Sequence, residues 1–381
     1  MHGLIRHHSK VYSQEPARRL LLTTPAGNGN GNDAGNGHGH GHGTGEIHYH
    51  YGDVLDSFSL IKILRDANPD EIYHLAAQSH VGLSFTTSLS TSQVDALGTL
   101  RILEAIQALG LANKIRFYNA CSSEVYGAVN QQHALKMLTQ DENTPFNPRS
   151  PYAVAKLYSY YTTVIFRDRG VFAVNGILFN HESPRRGQFF SFSFFWSASP
   201  FLDDVTNKQP PGMDFVTRKI SRAVALIYHG EDPQLTLGNL DAFRDWGHAR
   251  DYVRGMWMMM QQAEADDYVL ATGETHSVRT FCEQAFRVIG ITLKWQGQVL
   301  TEVGIDSSNS KSGGRVLVKV DSALERPLEV GYLRGSAKKA EEKLGWKPEI
   351  TFQQLVREMV TADIEAIGNG QNLKSVDGPQ L

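Results

Sequence analysis

Two residues that could do acid–base chemistry, Tyr152 and Lys156, lie four positions apart in the stretch RSPYAVAKLYSYY (149–161), directly after a proline. Residues at this spacing share one face of a helix, so both side chains can reach the same point. A phenol has a pKa of about 10, and a neighbouring ammonium group favours the phenolate, which can then act as a base near neutral pH. The alternative is an ordinary tyrosine and lysine on the solvated face of an amphipathic helix.

A hydroxyl and a carboxylate, Ser122 and Glu124, occur earlier in the chain in CSSEVYG. Alone, Ser122 would be interpreted as a capping or turn hydroxyl and Glu124 as a solvated loop carboxylate. Placed beside an activated tyrosine, the pair could support the oxidation of a hydroxyl group and a second proton transfer. The residues together therefore predict a catalytic site.

Alternating strands and helices that could position these residues are predicted from residue 46 onward. Strand patterns in EIHYHYGD, EIYHLAAQS and KIRFYNACSS alternate with helical patterns in SFSLIKILRDANP and over residues 93–109. Such alternation is typical of a parallel, doubly wound sheet, which binds ligands outside the carboxyl ends of its strands. Because HLAAQS and NACSSEVYG lie at two such ends, we expect the site at this edge.

The composition narrows the class of protein. The chain has 381 residues, 41% of them hydrophobic, and a formal charge of −3, which argues against a nucleic-acid or membrane-surface partner. No apolar run is long enough to span a membrane and no signal peptide is recognisable. With only two cysteines, Cys121 and Cys282, no disulfide framework is indicated. We expect a cytoplasmic protein with one large or two medium domains.

Two segments depart from the regular pattern. Residues 27–45 (GNGNGNDAGNGHGHGHGTG) are dominated by glycine and asparagine, so we predict a flexible surface loop rather than a metal site, which needs fixed geometry. Residues 188–214 are aromatic and irregular between two well-patterned stretches. They are either a real loop or sequence that does not belong, such as translated intron; the second is favoured because so many exposed aromatics promote aggregation.

Longer motifs resemble the extended short-chain dehydrogenase/reductase superfamily and, within it, the GDP-mannose 4,6-dehydratases. The motifs are HYGD, IYHLAAQSHV, SSEVYG, TPFNPRSPYAVAKLY, NGILFNHESPRRG, FVTRKISRAVA, LGNLDAFRDWGHARDYV, ATGETHSVR, RPLEVGYLRG and KLGWKP. The resemblance implies an α/β fold, with a Rossmann-like doubly wound parallel sheet and a smaller mixed α/β C-terminal substrate domain. The implied divisions are an NADP-binding domain over 1–180, a GDP-sugar-binding region over 181–370 and a tail over 371–381.

The resemblance also implies a mechanism. Tyr152 would take the proton of the mannose 4-hydroxyl while hydride leaves C4 for NADP⁺, and Lys156 would lower the pKa of Tyr152 and hold the nicotinamide ribose. Glu124 would remove the C5 proton and return a proton to the departing 6-hydroxyl, after which hydride returns to C6. Ser122, where the family has threonine, would hydrogen-bond near the 4-oxygen.

Binding residues carry over from the family in the same way. Besides Tyr152 and Lys156, the implied NADP contacts are Arg6, Asp53, Val54, Leu75, Ala76, Ala77, Gln78, Ser79, His181 and Arg186. The implied GDP-sugar contacts are Asn180, Val216, Lys219, Arg244 and Arg326. A cation such as Arg6 after the second strand favours NADP over NAD. The alternative for Arg6 is an ordinary loop residue, and for the sugar contacts it is a set of surface salt-bridge partners.

The sequence departs from the family at several points. Residues 2–6 resemble the second strand of the fold, and no strand followed by a G-x-x-G-x-x-G turn is found. We therefore expect a sheet without its first, central strand and without the main phosphate site. Ser90 replaces a cofactor-contacting tyrosine, and the insertion at 188–214 adjoins Arg186.

These departures leave two hypotheses. The chain is either an NADP-dependent GDP-mannose 4,6-dehydratase or an inactive remnant that binds nucleotide-sugar weakly. Another nucleotide-sugar dehydratase or a 4-epimerase is the alternative enzyme, although an epimerase needs no C5 base and the single acidic residue Glu124 differs from the Asp-Glu pair of the dTDP-glucose type. The family usually forms dimers or tetramers, so a homo-oligomer is expected. Whether the product leads to GDP-fucose or GDP-rhamnose stays open.

Overall fold

The protein was analysed as a computed structural model. It describes the main chain of residues 2–5 and, in full, residues 48–127, 139–186, 215–231, 233–298, 301–308, 314–324 and 330–369. Several sequence predictions lie outside the described residues: those for Arg6 and Arg326, for the segments 27–45 and 188–214, and for the tail 371–381.

Two groups of parallel strands form the N-terminal sheet system. Strands β1 (His2–Ile5) and β2 (His48–Tyr51) pair with each other. Strands β3 (Glu71–His74), β4 (Arg116–Ser122) and β5 (Phe172–Leu178) are neighbours in a second sheet, where every pairing is parallel. In the described part of the chain no strand joins the two groups.

Helices connect these strands and bury their apolar faces against the sheet. They are α1 (Ser57–Ala67), α2 (Val81–Ser84), α3 (Ser88–Asp95), α4 (Leu97–Ala108) and α5 (Pro151–Asp168). Leu103 and Ile106 of α4 are fully buried beside Phe117 of β4. The single helix predicted over 93–109 is wrong in its bounds, because the chain forms two helices that meet at Ala96.

The C-terminal part is a mixed α/β structure. Its strands are β6 (Asn180–Glu182), β7 (Leu235–Leu237), β8 (Phe243–Arg244), β9 (Trp246–His248), β10 (Asp267–Leu270), β11 (His276–Ser277), β12 (Leu293–Gln296), β13 (Val303–Asp306) and β14 (Val316–Val320). Its helices are α6 (Val216–Tyr228), α7 (Ala249–Met260), α8 (Val278–Val288), α9 (Lys338–Leu344) and α10 (Phe352–Gly368). A separate four-stranded sheet within this part has the strand order β12-β13-β14-β7.

Among the described residues, strand β10 comes from the C-terminal part of the chain but belongs to the N-terminal sheet. β10 follows α7 along the chain but pairs in parallel with β5 and so extends the N-terminal sheet. Helices α6, α8 and α10 pack around a separate apolar core that includes Val224, Phe286 and Met359. The predicted fold class, a parallel α/β sheet with a smaller mixed α/β region, is confirmed.

Candidate active site

The carboxyl end of β4 carries the predicted hydroxyl and carboxylate. β4 ends at Ser122, and a short 3-10 helix, Ser123–Tyr126, places Glu124 just beyond it. The Ser122 hydroxyl accepts the N–H of Glu124 at 3.3 Å. Gly127 ends this turn with a φ of 58°, and a Cβ there would lie 1.7 Å from the carbonyl oxygen of Asn147. Gly127, which ends the SSEVYG motif, is therefore required by the turn that positions Glu124.

The first turns of α5 carry the tyrosine and the lysine. Ser150 caps the helix by accepting the N–H of Ala153 at 3.1 Å, and Pro151 occupies its first position. Tyr152 and Lys156 are both buried. The Lys156 ammonium donates to the carbonyl oxygen of Ala120 on β4 at 2.9 Å and lies 5.9 Å from the ring centre of Tyr152.

The structure thus brings the predicted catalytic residues to one place. Ser122 and Glu124 both lie close enough to act on the pKa of Tyr152, the first through its hydroxyl and the second through its charge. Strand β4 and helix α5, which are separate in sequence, therefore meet with their polar groups at the carboxyl edge of the sheet, where a doubly wound fold binds its ligands.

The protonation of Tyr152 differs from the expectation. Burial is the largest influence and raises the pKa of the phenol, and the carboxylates of Asp95 and Glu124 raise it further. The hydrogen bond from Ser122 acts in the opposite direction. The predicted net lowering of the Tyr152 pKa is therefore wrong for the structure as it stands, because the cost of desolvating the phenolate outweighs the nearby favourable contacts.

The segment after β3, which was predicted to run along the cofactor, has no regular secondary structure. Leu75 and Ala76 are exposed, Ala77 and Ser79 are half-buried, and Gln78 is buried. The Gln78 side chain donates to Thr91 Oγ1 at 3.1 Å and accepts the N–H of His80 at 2.5 Å. This anchoring leaves an exposed stretch of chain at the edge of the sheet, which fits a nucleotide cofactor.

The turn before α1 holds two further predicted cofactor residues. The Asp53 carboxylate accepts the N–H of Leu55 at 3.0 Å. Val54 is buried in the apolar core with Leu60 and Leu64, so its side chain stabilises the turn.

His181 and Arg186 lie beyond β5. The His181 ring stacks on Tyr252 with 5.0 Å between ring centres, and burial lowers the pKa of its imidazole to about 4. Arg186 donates to the carbonyl oxygen of His181 at 3.3 Å, and its guanidinium lies 4.1 Å from the ring centre of Phe215. A partly exposed guanidinium in a fixed position is suited to a phosphate group.

The predicted sugar-binding positions lie on elements that contact one another. Asn180 pairs with Trp246 of β9, close to Arg244 on β8. Val216 and Lys219 lie in the first turn of α6, which is tied to β6 by a 2.8 Å hydrogen bond from Thr217 to Glu182. The Arg244 side chain is buried and donates to the carbonyl oxygen of Phe243 at 2.9 Å.

Two buried carboxylates were missed by sequence reasoning. Asp95 acts electrostatically on Tyr152, and Glu182 lies 3.5 Å from the guanidinium of Arg186. The signal for Asp95 is its place as the one charged residue of TSQVDALGTL, and for Glu182 it is the position inside NHESPRRG. Neither signal says where the side chain points, which depends on the packing of separate elements.

Comparisons with solved structures define the class of fold. RMD from Pseudomonas aeruginosa, solved with NADPH, superposes with a TM-score of 0.64 at 21% identity and covers 96% of this chain and 100% of its own. UDP-glucose 4-epimerase from Thermus thermophilus, solved with NAD, gives a TM-score of 0.62 at 19% identity over 95% and 99% of the two chains. The fold is therefore that of the Rossmann-type nucleotide-sugar dehydratases and epimerases.

Sequence comparisons identify the family. A family model described as GDP-mannose 4,6 dehydratase matches residues 28–196 and 204–359. GDP-mannose 4,6 dehydratase of Homo sapiens is 49% identical over 323 residues, 84% of this chain and 77% of the relative. The Sinorhizobium fredii protein of the same name is 50% identical over 315 residues, 82% of this chain and 80% of the relative. The chain belongs to the GDP-mannose 4,6-dehydratase family.

Proposed function

We propose that the protein is a GDP-mannose 4,6-dehydratase, a carbon–oxygen lyase that forms GDP-4-dehydro-6-deoxy-mannose and water. The observation that carries the proposal is the meeting of Tyr152 and Lys156 on α5 with Ser122 and Glu124 at the end of β4, in a chain of this family. Two protonatable groups, a phenol and a carboxyl, are the minimum for a reaction that first removes a hydroxyl proton and then eliminates water.

Tyr152 and Glu124 carry out different proton transfers, and Ser122 and Lys156 support them. Tyr152 takes the proton of the sugar 4-hydroxyl and later supplies one to C5. Ser122 holds the 4-oxygen through its hydroxyl, and Glu124 moves the C5 proton to the departing 6-hydroxyl. Lys156, held by Ala120, keeps a positive charge beside the phenol. Tyr152 and Lys156 are buried, which limits the access of water to the phenol.

NADP is the proposed cofactor; when bound, it accepts the hydride from C4 and returns it to C6, so that no net oxidation remains. Residues that would hold it are Tyr152, Lys156, the segment from Leu75 to Ser79, and Arg186. The preference for NADP over NAD rests on the positive charge of Arg6 after the second strand of the fold.

Asn180, Val216, Lys219 and Arg244 are proposed to hold GDP-mannose, with Arg326 adding a further cation. The cationic side chains suit the pyrophosphate, which binds best to charged donors. The N-terminal region up to 180 would then serve the cofactor and the region 181–370 the sugar nucleotide, in line with the interleaving of the two parts through β10. We place the step in nucleotide-sugar metabolism, ahead of deoxysugar formation such as that of GDP-fucose.

A cytoplasmic location and a homo-oligomer are part of the proposal. Both cysteines are free and buried, which suits a reducing compartment. No helix in the described ranges has the length and hydropathy of a membrane span. The outer face of α5 exposes Val154, Tyr158, Tyr161 and Ile165, an apolar stripe at helical spacing that would be covered by a second copy of the chain.

One observation favours the second hypothesis, an inactive chain. The sheet is interrupted between β1 and β3 in the described residues, at the place where a Rossmann-type sheet holds the cofactor. If this interruption abolishes cofactor binding, a folded chain would retain the side chains of the site without turnover.

The decisive experiment measures NADP⁺ binding by calorimetry and GDP-mannose turnover on the 381-residue chain and on Tyr152→Phe. We expect turnover to fall by at least about a hundredfold in the variant, because the phenol is the base for the first step. Tyr158→Phe on the exposed face of the same helix is the matched control and should retain turnover. A folded chain that neither binds NADP⁺ nor converts GDP-mannose would contradict the proposal.

A further inference from the structure

Asp95 is a buried carboxylate outside the predicted site, and its charge acts on the candidate base Tyr152. It is the last residue of α3, which packs against α5, and only 1% of its surface is exposed. One oxygen, Oδ1, accepts the main-chain N–H of Gln78 at 2.6 Å. The other, Oδ2, is buried and has no hydrogen-bond partner among the described residues. A buried carboxylate oxygen without a partner is unusual, because leaving it unpaired is costly.

The charges around Asp95 connect it to the candidate base. The ammonium of Lys156 favours its ionised form, and its negative charge in turn opposes ionisation of Tyr152. Other ionisable groups that act on these two residues, or lie on the elements packed around Asp95, are His74, His80, Arg101, Cys121 and Glu124. Asp95 is thus one member of a small, electrostatically coupled set that includes Lys156 and Tyr152.

Asp95 can change its charge in the neutral range. Burial raises its pKa to about 7, although Lys156 and the Gln78 hydrogen bond act in the opposite direction. A carboxyl group in such a state alters the local charge near the pH at which an enzyme works, which is typical of residues that tune a site.

We propose that Asp95 is a positioning residue for the base: it holds the segment expected to contact the cofactor through Gln78, and its charge, coupled to Lys156 and Tyr152, sets the pH range over which Tyr152 works. The inference rests on the proposed function, since it assigns Asp95 a role in that reaction. In its ionised form Asp95 disfavours the phenolate of Tyr152. When Asp95 is neutral, it no longer disfavours the phenolate of Tyr152.

The first test compares the pH dependence of kcat/KM for the wild-type chain and Asp95→Asn. The amide oxygen can still accept the Gln78 N–H, so a purely structural role is preserved while the charge is lost. Because the opposing charge is gone, the acid limb of the profile should move to lower pH by about half a unit to one unit. If the acid limbs of the wild-type and Asp95→Asn profiles coincide, the proposal is overturned.

Asp251→Asn is the matched control. Asp251 is a buried carboxylate on α7 that accepts the main-chain N–H groups of Glu349 and Ile350 at 2.9 and 3.0 Å. Its loss tests whether removing any buried carboxylate moves the profile. A shift of the same size in this control would also overturn the specific role of Asp95.

A second measurement does not depend on activity. The carboxyl carbon of Asp95 can be followed by NMR in chain labelled at aspartate, with its signal assigned by its loss in Asp95→Asn. We expect titration near neutral pH, and a move to higher pH in Lys156→Gln, since the ammonium favours the carboxylate. If the chain shows no turnover but this coupling is present, the proposed function fails while the coupling of Asp95 stands. If the titration of the Asp95 signal is the same in Lys156→Gln as in the wild type, the inference is overturned, whether or not the chain is active.

Discussion

The pKa values of His74 and Asp95, near the candidate site, are shifted more by burial than by their charged or hydrogen-bonded partners. His74, at the end of β3, hydrogen-bonds through Nε2 to Thr99 Oγ1 at 3.1 Å, and burial lowers the pKa of its imidazole to about 3. Asp95 responds in the opposite direction to the same influence, because burial disfavours the charged form of either group. Each therefore tends toward neutrality in the folded chain.

His74 makes a testable contribution to acid sensitivity. Its pKa is lower in the folded than in the unfolded state, so the unfolded chain binds the extra proton as the pH falls below about 6.5. Its stabilising contribution is thus present above that pH and is lost on acidification, by roughly 1.4 kcal/mol per pH unit. In His74→Gln, the free energy of unfolding, measured with denaturant at several pH values, should decrease less on acidification than it does in the wild type.

Thr99→Val provides the control for this prediction. It removes the hydrogen-bond partner of His74 but keeps the buried imidazole. Stability should fall by about 1 to 3 kcal/mol while the pH dependence is retained. If His74→Gln keeps the wild-type slope, the imidazole is not the group that titrates.

At the scale of secondary structure, the start of α5 positions the candidate base. Ser150 caps the helix, and Tyr152 lies in its first turn. The far end of the chain contains a comparable start: Thr351 caps α10 and forms a capping box with Gln354. The two helices therefore begin by the same local chemistry, but only one of them carries a residue of the site.

Removing the Ser150 cap should affect the site as well as stability. Ser150→Ala leaves the N–H of Ala153 without its acceptor, so we expect a loss of about 1 kcal/mol in the free energy of unfolding. Fraying of the first turn should also weaken NADP⁺ binding, measured by calorimetry. Thr351→Ala should cost a similar amount of stability without altering binding. Equal effects of both variants on NADP⁺ affinity would contradict the positioning role of the cap.

At the scale of the whole molecule, the apolar stripe on α5 lies on the outer face of the same helix. Val154, Tyr158, Tyr161 and Ile165 are 43% to 56% exposed, whereas the opposite face packs against β4 and β5. An isolated exposed apolar residue is ordinary, but four at helical spacing form a continuous surface. A second copy would bury this surface and leave the opposite, site-bearing face of α5 unchanged.

A charge placed on the stripe tests the homo-oligomer. Ile165→Glu should move the sedimentation velocity of the chain toward that of a monomer, because a carboxylate buried in a contact without a partner is costly. Trp257→Glu on α7 replaces another apolar residue that is 56% exposed and should leave the oligomeric state unchanged. If Ile165→Glu sediments as the wild type does, α5 is not the contact between copies.

Local sequence patterns were sufficient for much of the fold. The alternation of strand and helix patterns predicted the parallel sheet, and the helical pattern in SFSLIKILRDANP predicted α1 (Ser57–Ala67). The pattern failed to separate α3 from α4, since neither Gly nor Pro marks the join at Ala96. It also could not show that β10 pairs with β5, because strand order depends on contacts between distant parts of the chain.

The sequence by itself determined the types and spacing of the candidate catalytic residues and the family motifs around them. Tertiary structure alone decided that burial raises the pKa of Tyr152 and that Asp95 is electrostatically coupled to Lys156 and Tyr152. The physical reason is that spacing along a helix is a local property, whereas desolvation and electrostatic coupling depend on which elements pack together. A sequence motif can therefore name the base, but only the fold sets the charge around it.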